Sequence, residues 1–253
     1  MTIINHLERE IGQWWDAAAS YYQKEISGDD LNTVHYGPFG SSETKLNLLG
    51  AVKGKKVLEL GCGGGQCSVT LAKKGAICTG IDISEKQLEH AVKLAEKNSV
   101  RINFIKKSFS ELDAFPKNSY DIVISVFALQ YAERLDRIFR SIKRILKQNG
   151  IFVFSIDHPF YLLVNPNDMV LSESYNKVGM VSEKEIWPDG SNHNFFMYRR
   201  KVSDIVNGII QSGLALQKVI EPFDRNDKVW GSGYRRKLVH RITPTIIFKC
   251  AKT

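Results

Sequence analysis

The spacing of apolar and polar residues predicts an amphipathic helix near the start of this chain. Residues 3 to 25 carry apolar side chains three and four positions apart, among them Leu7 and Ile11. Residues at that spacing share one face of a helix, so this segment can cover an apolar surface. A turn-rich loop from 33 to 40 follows, and a second helix is predicted from about 42 to 49.

After this region, short apolar runs typical of buried strands alternate with longer segments of helical spacing. The strands are predicted near residues 56–60, 77–81, 102–105, 121–126, 151–156, 214–220 and 244–250. The helices are predicted near residues 66–74, 85–97, 135–146 and 202–212. Ser84 begins Ser-Glu-Lys-Gln, a capping-box sequence that marks a helix start directly after a strand. This alternation predicts a parallel sheet covered by helices on both faces.

The glycine-rich turn after the first of these strands is the strongest chemical signal in the chain. Residues 57 to 65 read VLELGCGGG, and Asp82 follows 21 residues after Gly61. An apolar strand, a glycine turn, a helix and a second strand that ends in a carboxylate form a half-fold for an adenosine-containing cofactor. The sequence therefore predicts such a cofactor at this turn.

The residues around the turn favour one cofactor over another. Dinucleotide-binding turns have glycines at the first, third and sixth positions, and counting from Gly61 places Gly63 correctly but Gln66 sixth. Glu59 comes two residues before the first glycine, where its carboxylate is expected to face the ligand. It would repel a pyrophosphate and attract a ligand with an ammonium and a sulfonium group. We therefore expect S-adenosylmethionine, with S-adenosylhomocysteine as its product.

Four motifs resemble those of class I S-adenosylmethionine-dependent methyltransferases and together cover about residues 45 to 160. They read ELGCGGG at 59–65, GIDIS at 80–84, SYDIVIS at 119–125 and LKQNGIFVF at 146–154. The chain is similar to quinone-biosynthesis C-methyltransferases and to related small-molecule N- and O-methyltransferases. The resemblance implies a Rossmann-like α/β fold, with a seven-stranded, mostly parallel sheet and an antiparallel C-terminal hairpin.

The resemblance also implies a division of one methyltransferase domain into four parts. We expect an N-terminal helix and lid over 1–44 and a cofactor-binding core over 45–160. Residues 160–200 break the strand and helix alternation and are rich in Asn, Ser, Pro and aromatic residues, so a substrate cap is expected there. Residues 201–253 would complete the sheet.

The cofactor would contact a defined set of residues in such a fold. The glycines would let it approach the backbone, and the Asp82 carboxylate would accept hydrogen bonds from both ribose hydroxyls. For Ile83 and Gln87, contact with the adenine or ribose competes with plain packing as an interpretation. The full expected set is Glu59, Gly61, Cys62, Gly63, Gly65, Asp82, Ile83, Gln87, Ser108, Phe109 and Phe127.

Ser108 departs from the family pattern. After the third strand the family often has an aspartate that accepts a hydrogen bond from the adenine amino group, and alignment of FIKKSF places Ser108 there. A hydroxyl is a weaker acceptor than a carboxylate. A weaker adenine contact is therefore expected at this position, and the neighbouring Phe109 is expected either to stack on the base or to pack in the core.

Two residues are candidates for catalysis. Methyl transfer depends on alignment and needs no dedicated nucleophile on the protein. His158 follows the fifth strand and suits a general base, although a histidine held in a turn by Pro159 is an equal interpretation. Tyr36 is expected either to close over the cofactor or to pack. The segment SVFALQY at 125–131 lacks the Asn-Pro-Pro-Tyr or Asp-Pro-Pro-Tyr of enzymes that methylate adenine or glutamine amides.

Composition adds few constraints. Hydrophobic residues make up 43% of the 253 residues and charged residues 25%, as in ordinary globular proteins. No apolar run reaches the roughly 20 residues that span a bilayer, and no signal peptide is evident, so a cytoplasmic location without membrane association is expected. The four cysteines lack zinc-site spacing, and we expect neither a metal nor disulfides.

Charge leaves other functions open. The net charge of +8 fits a methyltransferase acting on RNA or protein, although the basic residues occur in short, scattered clusters. The leading hypothesis is a small-molecule acceptor bound by a monomer or homodimer. A cofactor-binding protein without catalysis and a nicotinamide-dependent oxidoreductase are the further alternatives, and Glu59 and Gln66 count against the latter.

Overall fold

The computed structural model describes residues 6–25, 31–165, 167–186, 192–223 and 236–253. The helices are α1 (His6–Glu25), α2 (Glu43–Leu46), α3 (Gln66–Lys73), α4 (Glu85–Lys97), α5 (Leu135–Ile145), α6 (Val202–Gln211) and α7 (Arg236–Val239). The strands are β1 (Lys56–Leu60), β2 (Ile77–Asp82), β3 (Asn103–Lys106), β4 (Tyr120–Val126), β5 (Leu146–Asp157), β6 (Gly179–Ile186), β7 (Asn192–Arg199), β8 (Ala215–Ile220) and β9 (Thr245–Ala251). None of these helices combines the length and the apolar character needed to span a bilayer.

The main sheet has the strand order β3-β2-β1-β4-β5-β9-β8. Strands β1 to β5 pair in parallel, and β9 runs antiparallel to both β5 and β8. This arrangement confirms the predicted seven-stranded, mostly parallel sheet with an antiparallel C-terminal pair. The strand order reverses between β1 and β4, and a crevice for a ligand opens beyond the carboxyl ends of the strands at such a point.

Alternating side chains of β5 fill both faces of the sheet. Phe152 and Phe154 stack on each other, with ring centroids 4.8 Å apart. Phe154 also stacks on Phe248 of β9 at 4.9 Å and contacts Phe139 of α5 at 5.5 Å. Val153 packs in the apolar cluster on the opposite face, because successive strand residues point to opposite sides. The two faces together hold the carboxyl ends of β4 and β5 in fixed positions.

The helix predicted from 42 to 49 is shorter than expected. It ends after four residues because Asn47 adopts a left-handed backbone conformation with φ 46°. The backbone N–H groups of Leu48 and Leu49 then donate hydrogen bonds to the Glu43 carboxylate, at 2.9 and 2.7 Å. A side chain therefore replaces the helical carbonyls as their hydrogen-bond acceptor, which helical spacing alone did not predict.

The region between β5 and α6 contains a feature that the apolar pattern did not predict. Strands β6 and β7 form a separate two-stranded antiparallel sheet. The sequence NHNFFMYR of β7 shows no regular alternation of polar and apolar residues, so strand periodicity is not visible there. Phe195 of β7 contacts Trp14 of α1, with ring centroids 4.9 Å apart. The hairpin therefore lies against α1.

Candidate active site

A cavity lies at the carboxyl ends of β1, β2 and β4, with α1 forming one wall. Ten of the eleven residues predicted to contact a cofactor line it, namely Glu59, Gly61, Cys62, Gly63, Asp82, Ile83, Gln87, Ser108, Phe109 and Phe127. The exception is Gly65, where an added Cβ would lie 2.9 Å from the Cβ of Ala91. Gly65 therefore allows close packing of α3 against α4, and the structure does not place it in the wall.

Two glycines are required by the geometry of the turn. Gly61 has φ +67°, and an added Cβ would lie 2.3 Å from the Cβ of Ala128. Gly63 has φ +48°, and its backbone N–H donates a hydrogen bond to Oδ2 of Asp82 at 2.8 Å. L-residues with side chains rarely adopt these conformations, so glycine keeps the backbone close to the cavity.

Asp82 is held rigidly at the end of β2. Its Oδ2 accepts the Gly63 N–H, and its Oδ1 accepts the backbone N–H of Ser84 at 2.9 Å. Burial raises the pKa of the Asp82 carboxyl to about 6, and these backbone hydrogen bonds oppose that rise. Since each carboxylate oxygen has two acceptor positions, the anchored group can still accept hydrogen bonds from a ligand.

Glu59 is buried beneath the glycine turn. The Ser68 hydroxyl of α3 donates a hydrogen bond to its Oε2 at 2.5 Å. Burial raises the pKa of Glu59 to about 8, so the carboxyl is protonated at neutral pH in the absence of a nearby cation. The negative charge that the sequence analysis expected at Glu59 therefore requires a cationic ligand to stabilise it.

Ser108 meets a carboxylate from a distant part of the chain. Its hydroxyl donates a hydrogen bond to Oε1 of Glu8 in α1 at 2.6 Å, and the Ser110 hydroxyl donates to Oε2 of Glu8 at 3.1 Å. Both Glu8 and Ser108 line the cavity. The ring of Phe109 would lie 3.3 Å from a Cβ added to Gly61, so it packs over the glycine turn. The cavity wall after β3 thus contains a carboxylate that the local sequence lacks.

Aromatic side chains form the opposite part of the wall. Trp15 and Tyr22 of α1 line the cavity with Tyr131, which follows β4. The ring centroid of Trp15 lies 5.2 Å from that of Tyr22 and 5.6 Å from that of Tyr131. Phe195 of β7 contacts Tyr131 from behind, at 5.6 Å. The sequence analysis did not single out Trp15 and Tyr22 for function, because helical spacing shows that a face of α1 is apolar but not what that face covers.

Phe127 connects the two parts of the wall at the end of β4. It has φ +53°, an uncommon conformation for a bulky residue, and its N–H donates to the carbonyl of Ser155 at 3.0 Å. A Cβ added to Gly37 would lie 2.3 Å from the Phe127 ring, so the loop before α2 rests directly on this side chain. This contact fixes the loop at the carboxyl end of β4.

The structure places the two predicted catalytic side chains away from the cavity. His158 is buried, its Nδ1 accepts the N–H of Phe160 at 3.1 Å, and its Nε2 lies 2.8 Å from Oε1 of Glu221. An accepting Nδ1 leaves the proton on Nε2, which then donates to Glu221. Tyr36 is also buried, and its hydroxyl donates to Oε2 of Glu43 at 2.7 Å. Burial raises the pKa of the Tyr36 hydroxyl well above its ordinary value.

Comparisons with known proteins agree with this geometry. A family model described as a methyltransferase domain matches residues 58–154. An uncharacterized protein of Haemophilus influenzae is 29% identical over 248 residues, which cover 92% of this chain and 97% of that protein. The ubiquinone biosynthesis O-methyltransferase of Vibrio vulnificus strain YJ016 is 29% identical over 218 residues, covering 85% and 83% of the two chains.

Solved structures share the fold. An S-adenosylmethionine-dependent methyltransferase from Mesorhizobium loti superposes with a TM-score of 0.59 at 24% identity, over 82% of this chain and 95% of that one. Geranyl diphosphate C-methyltransferase from Streptomyces coelicolor gives a TM-score of 0.65 at 12% identity, over 98% and 99% of the chains. The matched methyltransferase domain and the shared fold support a class I S-adenosylmethionine-dependent methyltransferase.

The wall of this cavity fits S-adenosylmethionine, the cofactor that the matched domain and the solved relatives indicate. Asp82 offers carboxylate acceptors, and the Gln87 amide nitrogen is buried with no hydrogen-bond partner among the described residues. Ile83 and Phe109 add apolar surface near these polar groups. A matching ligand would have hydroxyls that donate to Asp82, an atom that accepts a hydrogen bond from the Gln87 amide nitrogen, and a flat base. Buried polar groups need such partners.

His35 is a wall residue of the methyltransferase that the sequence analysis missed. The residue belongs to the cavity wall, and its Nε2 is buried with no hydrogen-bond partner among the residues that the structure describes. The neighbouring Tyr36, which the sequence analysis selected, points into the core instead. The turn-rich composition of the loop gave no signal for which of the two faces the cavity.

Helix α1 of the methyltransferase is attached to the rim of the cavity along one face. Asp16 accepts hydrogen bonds from the Ser84 hydroxyl at 2.7 Å and the Lys86 N–H at 3.0 Å. Gln23 donates to Oε1 of Gln87 at 2.7 Å and accepts from Gln66 Nε2 at 2.6 Å. These contacts join α1 to the start of α4 and to the glycine turn, so the helix forms part of the site.

Proposed function

We propose that this methyltransferase transfers the methyl group of S-adenosylmethionine to a small molecule with a flat, largely apolar body. The observation that carries the proposal is the aromatic wall of Trp15, Tyr22 and Tyr131, which adjoins the predicted cofactor residues in one cavity. Flat apolar molecules pack well against aromatic rings. The acceptor atom is an N, O or C nucleophile at one end of this body.

The residues of the chain supply binding, orientation and exclusion of water. Bound S-adenosylmethionine supplies an activated methyl group on a sulfonium. In the proposed arrangement Asp82 holds the ribose hydroxyls, Glu59 pairs with the methionine ammonium, and Phe127 lies between the cofactor and the acceptor. Holding two reactants in line can lower a barrier by about 7–11 kcal/mol, so alignment is the main catalytic contribution.

We further propose that His35, rather than His158, accepts the proton that the acceptor loses. His35 belongs to the cavity wall, and its buried Nε2 has no partner within the described part of the chain, whereas both ring nitrogens of His158 have partners outside that wall. The carboxyl groups of Glu8, Glu59 and Asp82 already accept hydrogen bonds. An imidazole near neutral pH is well suited to this role.

The comparisons support a small acceptor over a macromolecular one. The relatives include proteins named ubiquinone biosynthesis O-methyltransferase. Among the described lysines and arginines, Lys107 is the one that lines the cavity, and it pairs with Glu111 at 3.3 Å. The net charge of +8 is therefore not concentrated at this cavity. An RNA or protein acceptor remains the alternative that the assay must address.

A transfer assay tests the proposed function. The protein is incubated with S-adenosylmethionine and a panel of catechols, naphthoquinols and indoles, and formation of S-adenosylhomocysteine is measured. We expect turnover with at least one aromatic acceptor. Methylation of total RNA or of protein extract, with no turnover on the panel, would instead support a macromolecular acceptor. Binding of S-adenosylhomocysteine with no transfer to any of these would indicate a protein without catalysis.

The aromatic wall leads to a prediction about Tyr22. Replacement of Tyr22 by alanine is expected to raise the KM for the aromatic acceptor about tenfold, since a buried aromatic surface is lost. The affinity for S-adenosylhomocysteine should stay unchanged. Tyr21 provides the matched control, because it is 50% exposed on the same helix and its replacement by alanine should change neither value. Equal effects of both substitutions would mean that Tyr22 does not contact the acceptor.

The raised pKa of Glu59 leads to a prediction about proton release. The carboxyl, with a pKa of about 8, is protonated at pH 7 and must ionise to pair with the ammonium group of the ligand. Binding of S-adenosylhomocysteine at pH 7 should therefore release up to about one proton, and the affinity should rise as the pH rises from 7 toward 8. The pKa of Asp82 is lower, at about 6, so the change in affinity between pH 7 and 8 reports mainly on ionisation of Glu59.

Calorimetry in two buffers of different ionisation enthalpy measures this release. The apparent binding enthalpy should differ between phosphate and Tris for the unmodified protein, and the difference should disappear in Glu59→Gln. Identical enthalpies in both buffers for the unmodified protein would show that Glu59 keeps its proton and does not pair with the ammonium group.

A further inference from the structure

Glu8 and Ser108 form an acceptor pair at the end of β3 although they are 100 residues apart in the chain. Ser108 is held in place because its hydroxyl also accepts the N–H of Ser110 at 3.1 Å and its N–H donates to Oε2 of Glu111 at 2.8 Å. With its proton directed to Glu8 and one lone pair accepting the Ser110 N–H, the Ser108 hydroxyl acts toward other groups only as an acceptor. Both residues line the cavity, so this part of the wall is rich in hydrogen-bond acceptors.

A path along the ends of the neighbouring strands β2 and β3 leads from Asp82, the proposed ribose site, to this pair. Asp82 of β2 pairs with Lys106 of β3 in the sheet, and the Lys107 N–H donates to the Asp82 carbonyl at 2.9 Å. A base attached to a ribose at Asp82 would therefore extend over the end of β3. Ile83 and Phe109 line the cavity on that path and offer apolar surface to the faces of a flat ring.

We infer that Glu8 accepts a hydrogen bond from the adenine amino group of the cofactor and so determines the choice of base, an inference that rests on the proposed cofactor function. A carboxylate is an acceptor-only group, and the amino group at the edge of adenine is a donor. Helix α1 thereby supplies, from the N-terminal part of the chain, the carboxylate that is absent at Ser108.

The position of Glu8 on α1 gives the helix a role in cofactor binding beyond covering the cavity. Gly12, Asp16 and Gln23 follow Glu8 at helical spacing on the same face, and each lies against the cofactor side of the site. Gly12 packs on Ile83, because a Cβ added at Gly12 would lie only 3.3 Å from Cγ1 of Ile83. Occupation of the base site should therefore stabilise the docked position of α1.

The test compares two ligands that differ in one group. Calorimetry measures the affinity of the full chain for S-adenosylhomocysteine and for its deamino analogue, in which hydrogen replaces the adenine amino group. The unmodified protein should prefer S-adenosylhomocysteine about 10- to 100-fold, as expected for a hydrogen bond to a charged group. In Glu8→Ala this preference should fall close to one. If Glu8 had a purely structural role, Glu8→Ala would lower the affinity for both ligands equally. The preference would then stay unchanged, and the inference would be overturned.

Two further variants complete the test. Glu10→Ala is the matched control, because Glu10 lies on the same helix, is partly exposed and is 3.5 Å from His6. It should keep the full preference. The double variant Glu8→Ala with Ser108→Asp returns a carboxylate to the end of β3 and should restore about tenfold preference. If the unmodified protein binds neither ligand, the proposed cofactor function itself fails, and that outcome differs from an unchanged preference.

Discussion

Replacement of Asp82 by alanine is expected to reduce the affinity for S-adenosylhomocysteine more than 100-fold. The carboxylate anchors the N–H groups of Gly63 and Ser84 and is proposed to accept both ribose hydroxyls. A hydrogen bond to a charged group is worth about 1.5–3 kcal/mol, so the loss of both ribose contacts weakens binding by about 3–6 kcal/mol, a factor of more than about 100. Calorimetry at pH 7.5, supported by circular dichroism to show that the variant is folded, measures the change.

Asp121 provides the matched control for this experiment. It lies near the amino end of the central strand β4, away from the cavity, where Oδ2 accepts the N–H of Lys56 at 2.8 Å and contacts Lys147 Nζ at 2.9 Å. Asp121→Ala removes a similarly bonded carboxylate and should lower stability while leaving cofactor affinity unchanged. Equal affinity in Asp82→Ala and the unmodified protein would show that the ribose assignment is wrong.

Replacement of His35 by alanine is expected to lower kcat for the aromatic acceptor about 10²- to 10⁴-fold, the usual contribution of a general base. The affinity for S-adenosylhomocysteine should change little, because the proposed partner of His35 is the acceptor. His35→Gln retains a polar side chain but cannot take the proton, so it should be equally slow. The rate of both variants should lose the dependence on pH that titration of a base gives the unmodified protein.

His158 supplies the comparison that decides between the two histidines. Its ring is bonded to Glu221 and to the Phe160 N–H, so His158→Ala should lower the thermal unfolding temperature. The folded fraction of that variant should retain kcat within about a factor of three, because no contact with the reacting groups is removed. Loss of kcat in His158→Ala with full activity in His35→Ala would return the role of base to His158.

The elements of the main sheet were predictable because their signals are local. Buried strands such as β4 and β5 are short apolar runs, and α4 begins where the Ser84 hydroxyl accepts the N–H of Gln87 at 3.1 Å. The glycine turn could be located because its positive φ angles at Gly61 and Gly63 exclude most other residues. Each of these features depends on residues within a few positions of one another.

The parts of the site that sequence reasoning missed depend on contacts between distant segments. The acceptor at the end of β3 comes from Glu8, and the aromatic wall combines Trp15 of α1 with Tyr131 after β4. Helical spacing on α1 predicts that an apolar face is buried but not which surface it meets. The choice between His35 and Tyr36 depends on how the loop rests against Phe127, which no local pattern specifies.

The sequence by itself therefore determined the alternating sheet, the glycine turn and the carboxylate of Asp82, and from them the cofactor class. Backbone conformation and periodic burial act over a few residues, and sequence records them directly. Only the tertiary structure decided that Glu8 of α1 meets Ser108 at the end of β3, that His35 belongs to the cavity wall, and that His158 is bonded to Glu221. Those outcomes depend on which surfaces meet after folding, and the packing of the whole chain sets them.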